Sequence, residues 1–227
     1  MFITRLYLRT ASTRGGFTLV ELLVVIGIIA ILAGVALGPI TNGIKQAKHN
    51  AAMQQARQLG QVEFSYATDN TANGNTYPAD STATKIAQDL INSNYVSDPS
   101  IFCTSGAVGG QTVYSGGVPI TLQQSNVTWN FTCSSLSTTG GVSSATGDLI
   151  PLVYCTGQTV NYPATAVVNL ALSSTKNPFG ADGIAVFYHG NNAAYMKAGT
   201  GGQPAGTVAS FISANNTDST AYTTAVP

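Results

Sequence analysis

The spacing of apolar and polar positions changes three times along this 227-residue chain. Each change predicts a different element. From Phe17 to Ile40 the chain is apolar and carries no charge except Glu21. A helix built from such a run has no polar face, and about 20 apolar residues cross a bilayer core. From Thr41 to about Asp69 polar residues enter at regular intervals. Ala52, Ala56, Leu59, Val62 and Tyr66 recur at steps of three and four, which marks one face of a helix. Gln46, Lys48, Gln54, Arg57, Gln58 and Gln61 occupy other positions around it. That stretch holds no proline, and only Gly43 and Gly60 weaken it. The spacing therefore predicts one long helix, apolar all round in its first half and amphipathic in its second.

Gly34, Gly38 and Pro39 interrupt the first half. Proline lacks the amide donor and clashes with the preceding turn, at about 3 kcal/mol in a helix interior. Gly34-x-x-x-Gly38 also has the spacing of a close helix-packing face in membranes. A tolerated kink and a packing role both fit these residues.

Beyond Asp69 the pattern breaks. Asn70 to Pro78 is dense in turn formers. Asp80 or Ser81 is placed to cap a short helix through about Asn92, with Ile86, Leu90 and Ile91 inward. Val127, Trp129, Phe131 and Cys133 then alternate with Thr128, Asn130 and Thr132, the period of a half-buried strand. Leu149–Cys155, Ala166–Leu172, Gly183–Tyr188, Ala193–Lys197 and Thr207–Ile212 are further strand candidates. His189-Gly190-Asn191-Asn192 reads as a hairpin turn between two of them. Ser134–Thr146 and Ala198–Gly206 read as surface loops, and Asn215–Pro227 as a fraying tail. The expected fold class is α+β: a long N-terminal helix laid across a mostly antiparallel sheet.

Charge adds an asymmetry. Arg5, Arg9 and Arg14 precede the apolar run with no acid among them. An ordinary secretory signal has its cleavage site after the apolar stretch. Here the pair Gly15-Gly16 stands before it, so the span survives a cut at the glycine. Glu21 is alone inside that span, and a lone intramembrane carboxylate is costly enough to imply a function. Lys45 and Lys48 follow the span closely, so charge bias alone leaves its orientation open. Charged residues form only 8% of the chain. Beyond residue 60 the only basic side chains are Lys85, Lys176 and Lys197, so no basic patch points to nucleic acid.

Candidate chemistry is sparse. Cys103, Cys133 and Cys155 all follow the apolar run, and an oxidising compartment favours one disulfide plus one odd thiol. Cys133 shares a strand face with Trp129 and is the expected partner, with Cys103 ahead of Cys155 as its mate. No C-x-x-C pair occurs, and His49 and His189 fall on a helix and in a turn. No metal or cofactor is expected. Asp148, Asp182 and Asp218 lack the oxygen spacing of a calcium loop. Neither a glycine-flanked serine elbow nor a marked pair of carboxylates appears, so no catalytic residue is expected and the chain does not read as an enzyme.

The run Arg14-Gly15-Gly16-Phe17-Thr18-Leu19-Val20-Glu21 resembles the processing site of type IV prepilins and of type II secretion pseudopilins. The resemblance implies a leader at residues 1–16, removed by a prepilin peptidase after Gly16. It implies N-methylation of the new terminus, Phe17. Glu21 would pair with the terminal amine of a neighbouring subunit during assembly. Residues 17–40 would form the membrane and assembly helix, 41–69 its amphipathic continuation, and 70–227 a pilin-like head. Removing the leader leaves six basic against nine acidic side chains, a net charge of −3. Pilin-like proteins usually carry a proline near Pro39, and here it stands one position later than in the commonest version. Two further stretches resemble pseudopilin heads of the planctomycete and verrucomicrobial type. One is Tyr66 to Asp69 followed by Tyr77-Pro78. The other is the short helix leading into Tyr95, Asp98-Pro99 and Phe102-Cys103. By this resemblance the chain is a filament subunit of the bacterial inner membrane, with its N-terminus cytoplasmic and its head periplasmic. Its implied partners are itself, other pilins or pseudopilins, the prepilin peptidase, the assembly platform protein with its ATPase, and membrane lipid. The alternative is a minor pilin whose head acts as a surface adhesin or in DNA uptake.

Overall fold

The computed structural model describes residues 16–104, 111–135, 141–143, 150–155, 160, 168–173, 175, 177–212 and 222–227. The leader up to Gly15, most of the Ser134–Thr146 stretch, Asp148, Lys176, Asn215 and Asp218 lie outside the described residues. Two compact units divide the chain, Met1–Lys45 and Gln46–Pro227. Their boundary falls inside helix α1 (Leu19–Asp69), which is continuous over 51 residues with Pro39 within it. Thr41 Oγ1 donates to Gly38 O at 2.9 Å, adding a local bond beside the proline.

In the first unit every described residue is exposed, sixteen large apolar side chains from Phe17 to Ile44 among them. Each such side chain gains about 1.5–3 kcal/mol on full burial, so water is the wrong solvent for this segment. Among the described residues, α1 is the one helix long and apolar enough to cross a membrane by length and composition.

The second unit is the α+β head. Its main sheet holds five antiparallel strands in the order β5-β4-β2-β1-β7. They are β1 (Asn130–Cys133), β2 (Pro151–Tyr154), β4 (Gly183–Tyr188), β5 (Asn192–Lys197) and β7 (Thr223–Ala225). A separate antiparallel ribbon pairs β3 (Val168–Ala171) with β6 (Thr207–Ile212). β4 and β5 form the expected hairpin through His189, Gly190 and Asn191, and Asn191 takes positive φ at 59°.

Three details differ from the sequence pattern. First, β1 is not half-buried: Thr128, Asn130 and Thr132 are as inaccessible as Trp129, Phe131 and Cys133. Their polar atoms make this possible. Thr128 Oγ1 accepts from Thr104 N at 3.0 Å, and Thr132 Oγ1 donates to Pro151 O. Second, the tail does not fray at its end. β7 pairs with β1, matching Phe131 to Ala225 and Cys133 to Thr223. The Thr224 hydroxyl meets Tyr154 Oη at 2.6 Å and Val160 O at 2.9 Å, so a polar residue is satisfied inside the core. Third, α2 (Ala83–Asn92) is capped by Thr82, whose Oγ1 accepts from Lys85 N at 3.3 Å. Asp80 turns back instead, accepting from Ser81 and pairing with Lys85 Nζ at 3.5 Å.

The head half of α1 buries Ala52, Ala56, Leu59, Gly60, Glu63 and Ala67. This stripe is rotated from the expected one, since Val62 and Tyr66 are only half-buried on its flank. Gly60 explains the rotation. A Cβ there would stand 2.1 Å from the ring of Phe187 on β4, so the helix lies against the sheet where a side chain is missing.

Candidate functional site

Gly16, Phe17 and Thr18 precede α1 without helical or strand structure. A Cβ added to Gly16 meets no heavy atom within 4 Å, and Phe17 is 80% exposed. The Gly16–Phe17 bond thus lies in open chain. Inside a helix its amide and carbonyl would be tied into the hydrogen-bond ladder.

Thr18 is the N-cap of α1. Its Oγ1 accepts from Glu21 N at 3.3 Å. In return its own N–H donates to Glu21 Oε2 at 2.8 Å, and its hydroxyl reaches the same oxygen at 2.8 Å. This is a capping box, in which an N-cap threonine and a glutamate three residues on satisfy each other's orphan donors. Thr18 was assigned no role from the sequence, although Thr-x-x-Glu before an apolar run is the signal for such a cap. Both side-chain bonds use Oε2, and no bond among the described residues uses Oε1. Phe17, Val20, Val24 and Val25 line an apolar groove beside the carboxylate. One oxygen therefore fixes the side chain at the helix start, and the other stays open to a partner.

Residues 12–37 match the prokaryotic N-terminal methylation motif. The match takes in Gly16, Phe17, Thr18 and Glu21 and ends two residues before Pro39. It marks a type IV pilin-like, prepilin-type N-terminus. No curated protein and no solved structure matches the chain.

Gly34, within the matched span, and Gly38, just beyond it, have no atom within 4 Å of an added Cβ, so no described residue uses their smallness. The expected Cys103–Cys133 bridge is not formed: Cys103, Cys133 and Cys155 are buried free thiols. Each sulfur is turned to a different piece of backbone. Cys103 Sγ lies 3.9 Å from Thr104 O and Cys133 Sγ 4.0 Å from Phe131 O. Cys155 Sγ sits at 3.4–3.6 Å from the N–H and carbonyl of Ala185 across the sheet. Burial pushes the Cys133 and Cys155 thiols up to about 12, with the Glu63 charge adding to the rise at Cys133. A thiol held protonated is a poor nucleophile. In native full-length protein in detergent, alkylation of Cys133 and Cys155 is expected to be at least tenfold slower than after denaturation. Mass spectrometry under non-reducing conditions checks this, and a Cys103–Cys133 cross-linked peptide would contradict it.

The histidines are packed rather than gathered. His49 stacks on Tyr195 with ring centroids 3.8 Å apart and meets Phe179 edge-on. His189 faces Tyr77 at 5.5 Å. Asp182 closes the turn entering β4, its N–H bonded to Phe179 O at 3.1 Å. Glu63 is the group that the apolar periodicity did not single out, a carboxyl 2% exposed on the head-facing stripe of α1.

Proposed function

We propose that the chain is a structural subunit of a type II secretion pseudopilus or a type IV pilus-like filament. The observation that carries this reading is the methylation motif joined to an exposed apolar helix that begins at the Thr18–Glu21 capping box. A prepilin peptidase in the inner membrane cuts after Gly16 and methylates Phe17. The N-terminus faces the cytoplasm and the head faces the periplasm. Until assembly, lipid covers the apolar half of α1. An ATPase working through the platform protein then moves subunits from lipid into a helical bundle.

In that bundle Glu21 meets the terminal amine of a neighbouring Phe17. Thr18 holds Oε2, which presents Oε1 at the helix start. The pair sets the axial register of the incoming subunit, since an unpaired charge among apolar helices costs several kcal/mol. The pseudopilin-like stretches around Tyr77-Pro78, Asp98-Pro99 and Phe102-Cys103 support a secretion-type head. Fractionation of host cells tests the reading. Shearing should release the chain in a sedimentable fibre together with other pilin-like proteins. Recovery only as membrane-bound monomer, in cells whose filaments are assembled, would contradict it.

A further inference from the structure

Glu63 stands on the stripe of α1 that is buried in the head. Gly60 touches Phe187 one turn before it, and Ala67 is buried one turn after it. Its carboxyl is buried, and Oε2 has no hydrogen-bond partner among the described residues. The ionisable groups around it do not balance a negative charge. Tyr66 follows on the same helix. Tyr77 comes from the next loop, and its phenol is pushed up to about 12 by burial and by the Glu63 charge. Cys133 on β1 is close enough for the Glu63 charge to raise its thiol, after burial. His189 lies beyond Tyr77, facing its ring. Among the described residues, no lysine or arginine is recorded acting on Glu63, Tyr77 or Cys133. Burying a carboxylate without a cation is so unfavourable that the group keeps its proton instead.

We propose that Glu63 is a proton-operated latch for the head half of α1, closed onto the sheet when the carboxyl is protonated and released when it ionises. The released segment is the one around Glu63, from Leu59 to Ala67, because those residues bury together with it. Ionisation in place would leave the charge beside the Tyr77 phenol and the Cys133 thiol, neither of which neutralises it. Solvation of that charge requires the stripe to leave the sheet. The latch therefore makes docking of the head on α1 stronger in acid and weaker in base.

The sign follows from proton counting. Burial raises the folded Glu63 well above the ordinary value of 4.5, while the released form titrates near it. Between those two points the closed state holds one more proton than the open one. Closure is complete below the ordinary value, and its equilibrium constant falls about tenfold per pH unit above it, until the folded group itself ionises.

The chain has only two glutamates, Glu21 and Glu63. Full-length protein labelled with ¹³C-glutamate, in detergent micelles, therefore yields two carboxyl resonances, and Glu63→Gln assigns them. At pH 7 the Glu63 resonance is expected at the position of a protonated acid. A Glu63 resonance that titrates in the ordinary carboxylate range would overturn the latch. Amide exchange gives the second measurement. Above pH 5, protection of Leu59–Ala67 in the wild type should fall about tenfold per pH unit beyond the intrinsic change. In Glu63→Gln it should not, while α2 serves as the internal reference. Equal slopes in the two proteins would also overturn the proposal. Should Glu63→Gln fail to fold, Glu63→Leu supplies the assignment and the flat slope. The carboxyl titration of the wild type decides the matter without either variant.

Discussion

Glu21→Leu is expected to insert, be cleaved and fold its head normally, and to be lost from fibres. Removing one partner of a buried ion pair costs about 3–5 kcal/mol, because the other charge is left behind. That corresponds to roughly a hundredfold or greater fall in incorporation. The capping box offers a competing explanation, since leucine also removes the bonds to Thr18. Glu21→Gln separates the two. Glutamine serves as the third residue of a capping box as glutamate does, but carries no charge. If Glu21 acts only as a cap, whose loss costs about 1 kcal/mol, Glu21→Gln assembles like the wild type. If the charge sets the register, Glu21→Gln fails nearly as completely as Glu21→Leu. Glu21→Asp keeps the charge on a shorter arm and falls between them. Sheared-fibre yield from cells making each variant beside wild type gives the answer.

The second large effect belongs to the head. Gly60 lies inside α1, where alanine is ordinarily about 1 kcal/mol better than glycine. Position 60 reverses that sign. An added Cβ falls 2.1 Å from Phe187, whose ring is itself buried between helix and sheet. Gly60→Val adds two further methyl groups at the same point. Overpacking of this kind costs about 1–3 kcal/mol, and occasionally more. A thermal melt of the full chain in detergent should show Gly60→Val lowered by roughly 2–4 °C for each kcal/mol lost. Gly43→Ala, with no atom within 4 Å of its Cβ, is the control and should not be lowered. An unchanged melting temperature for Gly60→Val would mean that the helix does not lie on β4 as described.

What was legible in the sequence depended on whether one signal acted alone. The long helix was legible because its pattern outweighs the interruption at Gly34, Gly38 and Pro39: a long apolar run, then a three-to-four repeat with no proline. β4 and β6 span Gly183–Tyr188 and Thr207–Ile212, the ranges expected for them. The alternation of Val127 to Cys133 misled at β1, where threonine and asparagine read as solvent-facing. The threonine hydroxyls bond to backbone of distant segments, and a local pattern cannot record that. β7 was hidden for a similar reason. Thr223-Thr224-Ala225 is polar and short, and it becomes a strand only because β1 offers an unpaired edge. Glu63 escaped notice because a glutamate on a helix is normally solvated. Only the closeness of Gly60 to the sheet turns that position inward. The cysteines paired on paper through compartment and count. In the fold their sulfurs point to separate backbone segments, which spacing does not reveal. At the processing segment the reverse holds. Gly16, Phe17, Thr18 and Glu21 fall within six consecutive residues, so the whole chemical unit is local in the sequence.

The most direct test is the mass of the amino-terminal peptide of the protein taken from its own host. The proposed function predicts a chain that begins at Phe17 with one methyl group on its amine, and predicts that Gly16→Leu leaves the leader attached. A chain still beginning at Met1, in cells whose prepilin peptidase is active on other substrates, would contradict it.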